Sequence, residues 1–182
     1  MTTTSPVFQK KKYAIAIGAV IVGLLIMTNG SGACRTTSEN RQVRGLSLAG
    51  VLPEGTQVKL INNYYACHDP SHGEIVAYRA PGRSEPVVKV VYGIPGDQFN
   101  VMKTPEGNRI LINGQVARNS TGVPYSLSQN RYNFLQLYTR QYPSGIPPES
   151  YILLGDIPGG SVDSILFGFI PHEKLIGKII KQ

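Results

Sequence analysis

The chain has 182 residues, room for a membrane anchor and one domain of moderate size. It carries 18 Lys+Arg against 11 Asp+Glu, a formal charge of +7, which suits an anionic membrane surface. The same excess does not make a nucleic-acid site, because no Lys/Arg run occurs after residue 13, and the two cysteines, Cys34 and Cys67, are too few for a disulfide scaffold. A single bridge between them is compatible with a location outside the cytoplasm, and sequence alone leaves it open.

In chain order the first signal is "QKKKYAIAIGAVIVGLLIM", three lysines followed by an uncharged apolar run over 13–27. That run is short for a ~20-residue span, but Thr28 and the flanks extend it. A cleaved signal peptide has a similar pattern, with Ser31 and Ala33 as small residues before Cys34. A lipoprotein site at Cys34 fits less well, since Ser31 stands where such sites carry Leu. The expectation is an uncleaved transmembrane helix over 13–28 behind a cytoplasmic tail over 1–12. Lys10, Lys11 and Lys12 adjoin the apolar run, whereas Arg35, Arg41 and Arg44 lie farther off. This places the N-terminus inside and the rest on the extracytoplasmic side of the cytoplasmic membrane.

A small, polar linker is expected over 29–40, then one domain over 41–182. In it "GTQVKLI", "GEIVAYRAP", "PVVKVVYGI", "QFNVM", "RILING" and "SYILLGD" read as short strands between turns. "RYNFLQLYTRQY" over 131–142 fits one helix or a strand pair. The fold class is therefore mostly β, a barrel-like sheet domain with one N-terminal transmembrane helix.

Little conventional site chemistry is present. "CHDPSH" holds Cys67, His68, Asp69 and His72, but Pro70 interrupts any helix that would align the histidines, so no metal is expected. "NST" at Asn119 matches the glycosylation sequon, a pattern short enough to arise by chance. The anomaly is "EPVVKVVYGIPGD". Alternation puts Val87, Lys89 and Val91 on one face and Val88, Val90 and Tyr92 on the other, so Lys89 has no clearly wet side. An edge lysine with its amine in water is the bland account. The other is a desolvated, neutral amine able to take a serine proton.

Four segments, in order, bear on that choice. "VRGLSLAGVLPEGTQV" is similar to the nucleophile box V-x-G-x-S-M-x-P-T-L-x-x-G-D-x-V of the type I signal peptidases, membrane-anchored Ser/Lys proteases. "GEIVAY" resembles their G-D-I-V box, "VVKVVYGIPGD" their lysine box, and "GDIPGGSVDSILFGFIP" their last box, G-D-N-R-x-x-S-x-D-S-R-x-x-G. The resemblance covers nearly the whole chain. It implies Ser47 as nucleophile and Lys89 as general base, with Ser161, Asp163 and Asp156 supporting the dyad. It also implies an oxyanion hole from the backbone at Ser47 and Gly45, no cofactor, and preprotein substrates with small residues at −1 and −3. There are departures. Gly50 and Val51 replace Pro-Thr, Thr56 replaces the Asp of Gly-Asp, and Val90 replaces the arginine that follows the lysine. Ile157 and Pro158 replace Asn-Arg, and Ile165 replaces the arginine after Asp-Ser.

The function expected is a membrane-bound serine endopeptidase that cleaves signal peptides from exported preproteins, in contact with membrane lipid and not with nucleic acid. Two rivals stand beside it. One is a conjugative-transfer peptidase maturing a prepilin; the other is an inactive tethered β-domain that binds signal-peptide-like segments.

Overall fold

A computed structural model describes residues 35–182. Its strands arise where the sequence alternates or runs apolar between turns. They are β1 (Thr37–Gln42), β2 (Gln57–Asn62), β3 (Ile75–Tyr78), β4 (Val87–Gly93), β5 (Phe99–Thr104), β6 (Gly107–Ile112), β7 (Gln115–Val116), β8 (Ser150–Leu154), β9 (Ile170–Pro171) and β10 (Leu175–Lys181). Two α-helices join them, α1 (Gln129–Gln141) and the single turn α2 (Ser164–Phe167). The six strands expected from sequence are present as β2, β3, β4, β5, β6 and β8. Residues 131–142 belong largely to α1, which is capped by Ser128 accepting from the Arg131 N–H and buries Tyr132 and Leu135 along one stripe.

Seven strands form one antiparallel sheet in the order β1-β2-β10-β3-β4-β8-β9, and β5-β6-β7 form a second. The expectation of a barrel is corrected here: among the described residues no sheet closes on itself. Both edges of the larger sheet explain why. β9 has two residues and ends in Pro171, which has no N–H to continue a ladder. β1, "TSENRQ", is almost wholly exposed and carries Glu39 and Arg41, features that blunt an edge. Residues 37–40, expected in the linker, belong to this strand. Among the described residues no helix is long and apolar enough to cross a membrane, and the anchor expected over 13–28 lies outside them, as does Cys34.

Burial on both faces accounts for the apolar runs at the centre of the sheet. Tyr151 and Leu153 of β8 enter one core cluster with Val76, Tyr78 and Val91, while Ile152 and Leu154 enter another with Phe99, Ile110, Tyr125 and Leu135. In β4, Val87 and Val91 join the first cluster, and Val88 and Val90 pack against Leu48, Leu52, Val58 and Leu60. Lys89 is thus in a strand with no wet face, at 1 % exposure.

β10 is inserted between β2 and β3 only because Gly177 has no side chain. A Cβ there would lie 2.0 Å from the Ile61 carbonyl oxygen, a backbone atom that moves only with its strand. Gly177→Ala is expected to cost about 2 kcal/mol through overpacking, read as a lower denaturation midpoint at unchanged slope. Wild-type stability in that variant would mean that β2 and β10 part without cost.

Candidate active site

Ser47 lies in the loop between β1 and β2. The loop is closed at its base by Val43 N–H to Thr56 O and Gly55 N–H to Val43 O, both 2.9 Å. Above that base a tight turn forms: Ala49 N–H donates to Leu46 O, and Val51 and Leu52 N–H donate to Leu48 O. Leu48 and Leu52 point into the core and fix the turn, leaving Ser47 half-buried and Leu46 exposed.

Lys89 reaches this turn from β4. Val91 exchanges backbone hydrogen bonds with Gly73 and Glu74 on the β3 side, so by alternation the Val88 carbonyl faces the opposite edge. There β8 begins to pair only at Val90, and positions 87–89 have no strand partner on that side. Lys89 Nζ turns into this gap and donates to Ser47 Oγ and to Val88 O, each at 2.7 Å. Burial of the amine pushes its pKa down from 10.5 to about 8, against the opposing pull of the Asp163 charge.

The third component is the segment after β8. Gly155 and Asp156 pass close beneath Ser47, with the Asp156 N–H donating to Ser47 O at 2.6 Å. A Cβ on Gly155 would lie 2.5 Å from Ser161 Oγ and 2.8 Å from Ser47 O, so only glycine admits this approach. Asp163 is fully buried and forms no ion pair among the described residues; its carboxylate is instead saturated by neutral donors. Oδ2 accepts from Gly155 N–H and Ser161 N–H at 3.1 Å and from Ser161 Oγ at 2.6 Å; Oδ1 accepts from Ile165 N–H at 2.9 Å, capping α2. Ser161 therefore directs its proton at Asp163, while the hydrogen bonds of the Lys89 amine run to Ser47 and Val88.

Of the two backbone groups expected in an oxyanion hole, the Ser47 N–H makes no hydrogen bond among the described residues, whereas the Gly45 N–H is given to Glu54 Oε1 at 2.8 Å. Asp156, which lacks the arginine that Val90 replaces, has neutral partners: Gly50 N–H at 3.1 Å, Ser120 N–H at 2.8 Å and Ser120 Oγ at 2.8 Å. Asn119 is used in the same place. Its Nδ2 donates to Asp156 O, and its Oδ1 accepts from Thr121 N–H, Thr121 Oγ and Val123 N–H, so the sequon asparagine is a loop-forming residue. The histidines of "CHDPSH" diverge, His68 to Tyr64 O and His72 to the Asp97 carboxylate.

The structure brings Ser47, Lys89, Ser161, Asp163 and Asp156 to one place, together with Gly155, Asn119 and Ser120, which the sequence did not mark as site residues. The Gly-Asp pair that opens the last box hinted at the first. The other two are marked only by the sequon pattern, which points to no such role.

The site thus sets a buried lysine amine on a serine hydroxyl inside a mostly β frame. Residues 13–181 match the family described as signal peptidase, peptidase S26, and the chain belongs to that family. It is similar to the probable signal peptidase I-2 of Synechocystis sp., 27 % identical over 171 residues, covering 90 % of this chain and 70 % of the relative. It is also similar to signal peptidase I of Leptolyngbya laminosa, 25 % identical with 90 % and 76 % covered. Signal peptidase IB of Staphylococcus aureus is 24 % identical over 145 residues, with 75 % and 73 % covered. A solved signal peptidase I from Enterococcus faecalis aligns over 61 % of this chain and 97 % of its own, at 24 % identity and a TM-score of 0.41.

Proposed function

We propose that this chain is a membrane-tethered serine endopeptidase that removes signal peptides from exported preproteins, with Ser47 as nucleophile and Lys89 as general base. The observation that carries the reading is the 2.7 Å contact between Ser47 Oγ and a lysine amine that is buried and held near a pKa of about 8. Protonated, the amine donates along this line; neutral, its lone pair accepts the hydroxyl proton as Oγ attacks the scissile carbonyl. The carbonyl oxygen becomes an oxyanion, for which the Ser47 N–H is the available donor. The proton on Lys89 passes to the leaving amine, an acyl-enzyme remains, and the neutral amine then takes a proton from the water that releases the product. No step calls for a cofactor. Asp163, saturated by its four donors, holds the wall behind the amine.

Family membership supports a preprotein with small residues at −1 and −3 as substrate. The purified full chain in detergent is expected to cleave a preprotein with Ala at both positions and to release a single new N-terminus. Bulky residues at either position should slow it by at least ~10²-fold, as the restriction of a small pocket implies. The same incubation with a prepilin compares a general with a dedicated peptidase. With residues 41–182 outside the cytoplasmic membrane, protease added to intact spheroplasts should digest this domain. Protection until lysis would reverse the topology, and no cleavage of either precursor would remove the activity.

A further inference from the structure

The loop over 119–123 contributes no group to the dyad, yet it is tied to the nucleophile turn through one residue. Asp156 grips that turn twice: its N–H holds the Ser47 carbonyl at 2.6 Å and its carboxylate holds the Gly50 N–H at 3.1 Å. The carboxylate is itself held by Ser120, from the backbone N–H to Oδ1 and from the hydroxyl to Oδ2, both at 2.8 Å. Asn119 Nδ2 fixes the Asp156 carbonyl at 3.0 Å. Gly50 completes the fit. A Cβ there would stand 2.2 Å from Asp156 Oδ2 and 2.4 Å from Ser120 Oγ. A proline at the same position would have neither the space nor an N–H to give. The departure of Gly50 from the family pattern and the neutral partners of Asp156 are therefore one feature: a glycine amide and a serine occupy the carboxylate.

We propose that Ser120 is a positioning residue for Ser47, acting through the Asp156 carboxylate and the Gly50 amide. The proposal rests on the Ser/Lys reading of the site. A nucleophile on a turn rather than a strand needs both ends of that turn fixed, and a displacement of 1 Å costs up to ~10²-fold in rate. Ser120 is exposed and its bonds compete with water, so its share is smaller.

The test is the steady-state kinetics of full-length variants in detergent, across pH. Ser120→Ala is expected to lower kcat ~3- to 10-fold with KM within about twofold. Asp156→Asn, which sets an amide N–H against donors, should lower kcat further, toward ~10²-fold. The double variant should be no worse than Asp156→Asn alone, because both act on one contact. Gly50→Ala should fall with them by displacing the carboxylate. The pH midpoint should stay at the wild-type value in Ser120→Ala, since the groups around the Lys89 amine, Ser47 Oγ, Val88 O and the charge of Asp163, are untouched. Wild-type kcat in Ser120→Ala overturns the brace; so do additive losses, or a midpoint that climbs toward 10.5, the sign of general loosening that wets the lysine. If Asp156→Asn does not fold, Ser120→Ala and Gly50→Ala decide alone. Cleavage that survives Ser47→Ala would overturn the dyad and the brace together; cleavage that needs Ser47 but ignores Ser120 overturns the brace only.

Discussion

Ser47→Ala is expected to reduce preprotein cleavage by at least ~10³-fold, and Lys89→Ala by a similar factor, with the far-ultraviolet signature of the β domain retained. Ser47 is half-buried at the surface end of a turn whose stability comes from Leu48 and Leu52, so loss of its hydroxyl leaves the packing in place. Lys89→Arg should not restore activity. A guanidinium stays charged at any working pH and cannot accept the Oγ proton. The double variant should be little worse than either single one, because nucleophile and base act as a unit. Substantial cleavage by Ser47→Ala, measured at enzyme concentrations that exclude a contaminating protease, would remove Ser47 as nucleophile. A tethered domain that only binds signal-peptide-like segments would give no cleavage in wild type and unchanged binding in every variant.

Most of what places Lys89 is legible in the sequence. The two-sided apolar pattern of β4 required a sheet covered on both faces, and Val87 with Val91, and Val88 with Val90, do enter separate clusters. The continuous "YILL" of β8 is explained in the same way. β1 was not legible, since "TSENRQ" has no apolar alternation and exists as a strand through its ladder to β2. Whether the sheet closes was not legible either. Strand count sets no edge chemistry, whereas Pro171 and the exposed β1 do. The helix over α1 was ambiguous because Tyr132 and Leu135 fit a helical stripe while aromatic residues also favour strands; the Ser128 cap and the packing of α1 decide it. The brace is the least local feature. Gly50, Ser120 and Asp156 are 106 and 36 positions apart in their two contacts, and no sequence period connects them.

The buried amine should also be visible in stability. Its ordinary pKa of 10.5 in the unfolded chain falls to about 8 in the folded one, first through burial and with Asp163 opposing. Below about pH 8 both states hold the proton, and the folded state bears the full cost of a desolvated ammonium, about 3 kcal/mol by the size of the depression. Between about 8 and 10.5 the unfolded chain binds more protons than the folded one, so this contribution to stability rises with pH; above 10.5 both are neutral and the cost is gone. Lys89→Met, apolar and of similar length, removes the titration. Its loss of the bonds to Ser47 Oγ and Val88 O shifts stability by an amount that does not depend on pH. Buried Tyr65, Tyr78 and Tyr125, whose hydroxyls are pushed above their ordinary pKa, weaken both proteins alike at alkaline pH and cancel in the difference. Urea unfolding from pH 7 to 10.5 should therefore show Lys89→Met gaining on wild type at the low end by about 3 kcal/mol relative to the high end. Wild-type kcat/KM should rise over the lower part of that window, with a midpoint of about 8. A stability difference that is flat across the range would mean that the amine keeps an ordinary pKa near 10.5, and a lysine that stays charged through the lower part of that window cannot be the base that Ser47 requires.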